Sequence, residues 1–476
     1  MFFGQTRSIR VIYLAGLLGL AGTAPVSAAA SQGPPVNWPT NTLSLADCLN
    51  LAFTQNSAVL RSQTELDATY GLAIQTKAIV LPKVQIVGNY QAVDEASIDK
   101  LKVSDLGAGL NGMPSFSFDY AYQNWSAKIQ VVQSLYEGGR MASALRTARL
   151  SKDQALASHH AIVADTMLAV RIAYDDVLLA EDQINVQEAS VKLLDQELEN
   201  TTRRFEAGTV PRFNVLRAEV ELANARPRLI RARNAYRISK NKLADLLGFR
   251  VPQEIWEDLP LQLSGKLGAE PYAVELPSAI ARALEQRTEL QALRKAQALG
   301  DEAVKNAQAG YRPSVQVFGG YGTRNSSFDK DLTYILDGWF AGAQMSWNLF
   351  DGLSTKGKID EARARRRQAD VNLDSTTRQI ELEVRTAYSN FIEAREVLES
   401  QKKVQEQAEE ALRLAIARSD AGTGTQLDVL SAQTSLTEAR TTQVMALRDY
   451  SVARARLERA IGEGLFSAAP PPAPTP

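Results

Sequence analysis

Residues 204–248 align without a gap to residues 418–462, and 14 of those 45 positions are identical. Ala207-Gly208-Thr209 matches Ala421-Gly422-Thr423, Val215-Leu216 matches Val429-Leu430, Ala225-Arg226 matches Ala439-Arg440, and Tyr236 and Gly248 match Tyr450 and Gly462. The same offset of 214 reaches back to Leu135-Tyr136-Glu137-Gly138, which pairs with Leu349-Phe350-Asp351-Gly352. Further upstream the offset becomes 231, carried by Ala52/Ala283, Pro82/Pro313, Gln85/Gln316, Gly88/Gly319 and Tyr90/Tyr321, so the first copy is 17 residues longer between Tyr90 and Val131. Insertions of that kind belong to loops. A sequence built twice on one register constrains the fold more than its length does. At about 150 residues per domain, 476 residues suggest three domains, whereas the duplication gives two copies of one unit.

The first repeat spans 41–248, a link rich in proline and glycine occupies 249–271, and the second repeat spans 272–462. Each opens with a helix, over roughly 44–80 and 275–310, the first with Ser44 as its N-cap. Strands follow at about 81–93 and 119–135 in the first copy, and at about 312–323 and 337–350 in the second. In Trp339–Leu349 the apolar residues Trp339, Ala341, Ala343, Met345, Trp347 and Leu349 alternate with Gly342, Gln344, Ser346 and Asn348, the period of two that marks a strand with unlike faces. Trp125, Ala127, Ile129 and Val131 repeat that pattern in the first copy.

Long helices come next, over 138–206 and 353–419. No proline interrupts 115–210 or 314–469, and 67 helical residues extend about 100 Å. The chain turns at the Ala-Gly-Thr sites and returns in helices over 212–247 and 426–461. Val444, Leu447, Tyr450, Leu457 and Ile461 form a narrow apolar stripe of the kind that packs in coiled coils. Pro227, where the second copy has Thr441, predicts a kink or an interruption.

The fold class implied is mainly α, with long helical hairpins and four strands per chain. Four strands cannot close a barrel, and an open sheet in lipid leaves backbone groups unsatisfied. Two chains would supply eight strands and three would supply twelve. Strands of about ten residues with one apolar face and aromatic ends (Tyr90, Tyr120, Trp125, Trp339, Trp347) suit an outer-membrane barrel. The competing reading is a periplasmic coiled-coil adaptor or scaffold without a barrel.

Residues 1–28 read as a secretory signal peptide. Arg7 and Arg10 precede an apolar run over Val11–Gly22, and Val26-Ser27-Ala28 offers a cleavage site. Twelve apolar residues are too few to cross about 30 Å of hydrocarbon as a helix. Residues 463–476 read as a disordered, proline-rich tail. Lys+Arg total 53 against 54 Asp+Glu, so no overall basic footprint favours nucleic acid. One cysteine, Cys48, excludes an internal disulfide framework, and its apolar setting suggests a buried thiol. His159 and His160 lie about 100° apart on a helix, unsuited to holding one metal, and read as a solvated face. The run of Arg363, Arg365, Arg366 and Arg367 reads the same way. No motif for phosphate, dinucleotide or nucleophilic catalysis occurs, so neither enzyme activity nor a cofactor is expected.

The sequence resembles the TolC family of outer-membrane efflux and secretion channels. The likeness covers about residues 41–462 and rests on LSLADCLNLAFTQNSAVL at 43–60, RRFEAGTVPRFNVLRAEVELANAR at 203–226, ELPSAIARALEQRTEL at 275–290 and RSDAGTGTQLDVLSAQTSLTEAR at 418–440. The resemblance implies a homotrimer whose four strands per chain join a 12-stranded barrel in outer-membrane lipid. It also implies a helical tunnel across the periplasm that meets a periplasmic adaptor protein and an inner-membrane pump of RND, ABC or MFS type.

It further implies roles for the helical tips. Asp428 matches an aspartate ringing the tunnel entrance, and the neighbouring family aspartate falls on Ser431. A gating arginine and tyrosine fall on Gly424 and Ser419, and an aspartate of the first hairpin on Asn214, so a salt-bridged lock at those positions lacks its charged members. Three Asp428 carboxylates in a narrow mouth would attract cations; an aspartate in a helix's first turn is also an ordinary cap. The turns Ala207-Gly208-Thr209 and Ala421-Gly422-Thr423 are candidates for adaptor docking, or simple helix ends with a left-handed glycine.

Overall fold

The computed structural model describes residues 42–94, 122–249, 258–326 and 332–463. The expected signal peptide, residues 464–476 of the expected tail, residues 119–121 of the expected second strand and residues 250–257 of the link lie outside them.

In the first copy α1 (Leu45–Gln55) and α2 (Ser57–Lys77) lead into β1 (Lys83–Ala92) and β2 (Gln123–Glu137), then α3 (Arg140–Glu206) and α4 (Arg212–Leu246). The second copy repeats the order as α5 (Leu276–Gln286), α6 (Thr288–Gln308), β3 (Ser314–Asn325), β4 (Ile335–Ser346), α7 (Ser354–Asp420) and α8 (Gln426–Ile461). Among the described residues no helix is long and apolar enough to cross a membrane.

Three expectations need correction. The opening helices are each two helices, broken at Asn56 and at Arg287, where the backbone turns extended (φ −63°, ψ 130° and φ −59°, ψ 120°). The break is held by polar side chains, so hydrophobic periodicity does not register it. Asn56 Oδ1 accepts from the amide of Ala58 at 2.8 Å, capping α2. Pro227 does not interrupt α4, which runs through it as one helix. Its ring lies on the exposed side, as does Ala223, whose carbonyl loses the proline's hydrogen bond, while Leu222 and Ala225 are buried. Water can satisfy that carbonyl, so the helix continues past the proline; of the expected kink or interruption, only the interruption is overturned. Finally, the histidines do not form a solvated face. Both are half-buried, His159 Nδ1 lies 2.8 Å from the Ser62 hydroxyl, and burial lowers the pKa of each.

An apolar core lies midway along α7, against the C-terminal part of α8. Phe391, Val384, Ile380, Tyr450, Leu457 and Ile461 pack there with Ala279, Ala283 and Leu290 of the short helices. Val444 and Leu447, higher on the expected stripe, are only half-buried. The link contributes too: Leu259 and Leu261 are buried, and Leu263 bridges to Leu43. Cys48 is fully buried, and desolvation pushes its thiol up to about 12. Glu463, assigned to the tail from sequence, is anchored by Tyr272 at 3.0 Å and by Arg282.

Candidate functional site

Two regions stand at opposite ends of helices that, at 67 residues, run about 100 Å: the sheet and the helical tips.

The sheet has the order β1-β2-β3-β4 with every neighbour antiparallel. Its register places side chains on two unlike faces. One carries Val84, Ile86, Tyr90, Trp125, Ile129, Val131, Val315, Val317, Tyr321, Trp339 and Met345; the other is mixed, carrying Gln85, Asn89, Ser126, Gln130, Gln316 and Gln344 together with Val87, Val132, Phe318 and Phe340. Trp339 is 81% exposed and Ile86 79%, so among the described residues nothing covers the apolar face at those strands. β1 and β4 each pair on one side only among the described residues, leaving two open edges.

At the tips, the Ala-Gly-Thr sites make the same turn twice. Gly208 and Gly422 have φ of +71° and +72°, a conformation that favours glycine. The Thr209 amide donates to the Arg204 carbonyl at 2.9 Å and the Gly208 amide to that of Phe205 at 2.8 Å. In the second copy Thr423 donates to Arg418 at 2.9 Å and Gly422 to Ser419 at 3.1 Å. Both sites are Schellman ends, in which the turn satisfies the last carbonyls of the helix. The threonine hydroxyls add bonds to the same carbonyls, at 2.8 and 3.2 Å. Ala207, Ala421, the two glycines and Thr209 and Thr423 are exposed.

Asp428 sits at the third position of α8 in a capping box. Its carboxylate accepts from the Thr425 amide at 2.9 Å and hydroxyl at 2.8 Å, and its own amide donates to that hydroxyl at 3.3 Å. Those bonds from Thr425, together with the charge of Arg418, hold the exposed carboxyl below the usual carboxylate range. Asn214 takes the same place in α4, but Pro211 precedes that helix and offers no side-chain cap. Ser431 is exposed on α8, close along the helix to Asp428. Gly424 donates its amide to the Arg418 carbonyl at 2.9 Å. A Cβ there would lie 3.0 Å from both Arg418 Cβ and the Ser419 nitrogen, so a longer side chain does not fit without movement.

Sequence reasoning missed the seam between the hairpins, where α3 meets α8 and the end of α7. Arg204 pairs with Asp420 at 2.6 Å and reaches toward the Ser419 hydroxyl at 3.5 Å. Gln426 donates to Thr201 at 2.8 Å, Thr437 to Ser190 at 3.1 Å, Ser451 to Asp175 at 2.7 Å, and Arg171 to Glu458 at 2.7 Å. The signal was available in the repeat: Arg204 aligns with Arg418 and Glu206 with Asp420, putting opposite charges at one level of the two hairpins.

A duplicated pair of helical hairpins joined to an open, amphipathic four-stranded sheet is a specific combination. The sequence matches the family model for outer membrane efflux proteins over residues 48–249 and 279–463, one stretch in each repeat. The chain belongs to the outer membrane efflux protein family. Outer membrane protein TolC of Vibrio cholerae serotype O1 is 26% identical over 441 residues, covering 92% of this chain and 94% of that protein. The alkaline protease secretion protein AprF of Pseudomonas aeruginosa is 25% identical over 346 residues, covering 72% and 70%. The outer-membrane channel OprN shares the fold, with a TM-score of 0.71 at 20% identity over 88% of this chain and 90% of that one. As a member of this family, the chain is an outer-membrane channel protein of an efflux or secretion system. The adaptor-or-scaffold alternative is thereby set aside. The relatives are channel proteins rather than enzymes.

Proposed function

We propose that three copies assemble into one passive duct, with twelve strands closing a barrel in the outer membrane and the paired hairpins forming a tunnel through the periplasm. The observation carrying this reading is the sheet: among the described residues it has four strands, two open edges and an exposed apolar face. In hydrocarbon an unpaired edge costs several kcal/mol per unsatisfied group, so only closure across chains is tenable. Energy comes from elsewhere, through an inner-membrane pump of RND, ABC or MFS type and a periplasmic adaptor.

The adaptor docks at the tips in this reading. Six similar turns, two per chain, offer exposed threonines on rigid helix ends, and the two hairpins are joined there by Arg204–Asp420. The mouth is lined by Asp428, with Asn214, Ser431, Ser419 and Gly424 around it. Because Gly424, Ser419 and Asn214 carry no charge, this gate works without a salt bridge at those positions.

Detergent extraction followed by light scattering tests the assembly. A membrane-bound species with three times the 52.0 kDa chain mass, shortened by signal removal, supports the duct. Recovery as a soluble periplasmic monomer overturns it. Cysteines placed at Thr209 or Thr423 should crosslink to an adaptor, and failure at both sites moves docking away from the tips.

A further inference from the structure

We propose that the barrel interior carries a cationic lane that favours the exit of anionic solutes; this rests on the trimeric barrel reading. If the apolar face meets lipid, the opposite face lines the lumen. The register puts Lys83, Lys128 and Arg324 on that inner face, with Lys128 opposite Gly322 and Arg324 opposite Ser126. Among the described strand residues only two are acidic. Glu137 lies at the helical end of β2 and accepts from the Ser134 hydroxyl at 2.7 Å. Asp337 lies on the lipid face, bonded to the Tyr321 hydroxyl. Among the described residues none of the three cations forms an ion pair.

The surface around Lys128 is shaped to leave its charge available. Gly320 and Gly322 of β3 clear a flat floor. A Cβ at Gly320 would come within 2.9 Å of the Phe340 ring, and one at Gly322 within 3.1 Å of Lys128 Cβ. Phe340 fills that floor, and the Lys128 ammonium stands 5.7 Å from its ring centroid. A ring face steadies an ammonium without neutralising it. Lys128 and Arg324 are diagonal neighbours across β2 and β3, close enough for like charges to repel. With no counter-ion between them among the described residues, that arrangement costs stability, and a pore supplies a use for it: rings of lysine and arginine select anions. Three chains would place six such charges in the outer half of the lumen, and the solute class they favour is carboxylate, phosphate or sulfate.

Purified trimers in a planar bilayer under a potassium chloride gradient test the lane. The double variant Lys128→Gln, Arg324→Gln should shift the reversal potential toward potassium selectivity, and Arg324→Gln alone should shift it less in the same direction. The shift should shrink as salt rises from about 0.1 M to about 1 M, where screening shortens from about 10 Å to about 3 Å. Unchanged reversal potentials in conducting variants overturn the lane and leave the barrel intact. Wild-type protein that does not assemble into membrane-bound trimers overturns the barrel reading, and the lane with it. The single variant keeps the test open if the double variant fails to assemble, since Arg324 is exposed and only its backbone joins the sheet.

Discussion

The Asn56 side-chain amide donates to the Leu246 carbonyl at 2.7 Å, tying the break in the opening helices to the end of the returning helix α4. In the second copy Arg287 stands at the equivalent position and donates to the carbonyl of Ala460, the equivalent of Leu246, at 3.3 Å. Duplication therefore preserved a backbone bend and its anchor while changing the side chain that makes it. Arg287 is buried and also meets Glu289 and Glu383, so the second anchor is an ion cluster where the first is an amide. Asn56→Ala removes both the cap of α2 and the bond to Leu246. We expect a loss of about 1–3 kcal/mol, read as a lower thermal midpoint of the detergent-solubilised protein. An unchanged midpoint would mean the bend is held by packing alone.

Gly208 and Gly248 offer a sharper comparison, because their φ values are nearly equal, +71° and +81°. Around Gly208 a Cβ meets nothing within 4 Å, whereas at Gly248 it would lie 2.5 Å from the Gln55 carbonyl oxygen. Gly208→Ala should cost only the backbone strain, about 1 kcal/mol. Gly248→Ala adds a collision with backbone and should lower expression of the folded protein well below the first variant. Equal yields for the two would refute the crowding argument.

Glu302 predicts an acid dependence. Burial raises its pKa, but bonds from Arg146, Lys305 and Ser143 outweigh that and hold it at about 2, below the ordinary 4.5. Its carboxylate is 2.9 Å from Arg146 and 2.7 Å from Lys305. A depressed folded pKa gives stability that is full above about 4.5 and fades as pH falls toward about 2. The wild-type unfolding midpoint should drop across that window more steeply than that of Glu302→Gln. Parallel pH profiles would remove Glu302 from the account.

Much of this fold is legible in the sequence because it is written twice: the matches at Gly138/Gly352 and Gly208/Gly422 mark turns without any propensity argument, whereas the Tyr136/Phe350 match misplaces a strand end, since β2 runs to Glu137 and β4 stops at Ser346. The apolar alternation in Trp339–Met345 gives the sheet its outward face for the same reason that lipid demands it. What stays hidden is whatever depends on polar partners distant in the chain. Asn56 and Arg287 share no chemistry that an alignment would score. The Arg204–Asp420 pair joins different hairpins, and the near-neutral total of 53 against 54 charges conceals both the paired tip and the cations of β2 and β3, which are unpaired among the described residues. Charge at the tips was the natural place to look from the sequence; in the structure Arg204 and Asp420 answer each other, and Lys128 and Arg324 do not.

Asp428 tests that contrast. Its carboxylate is ionised and engaged with Thr425, yet exposed, so it caps α8 and presents a charge at once. Asparagine keeps an acceptor oxygen for the Thr425 amide and removes only the charge, so Asp428→Asn should leave the start of α8 in place. If three copies ring the mouth, single-channel recordings should show reduced cation selectivity, a shift opposite in sign to that of Lys128→Gln, Arg324→Gln. The two sets of charges lie about 100 Å apart along the helices, far beyond the screening length of about 8 Å at physiological salt. Their effects should therefore add in a triple variant. No change on Asp428→Asn would reduce the residue to a helix cap, and a non-additive triple variant would mean that conduction is limited at one end alone.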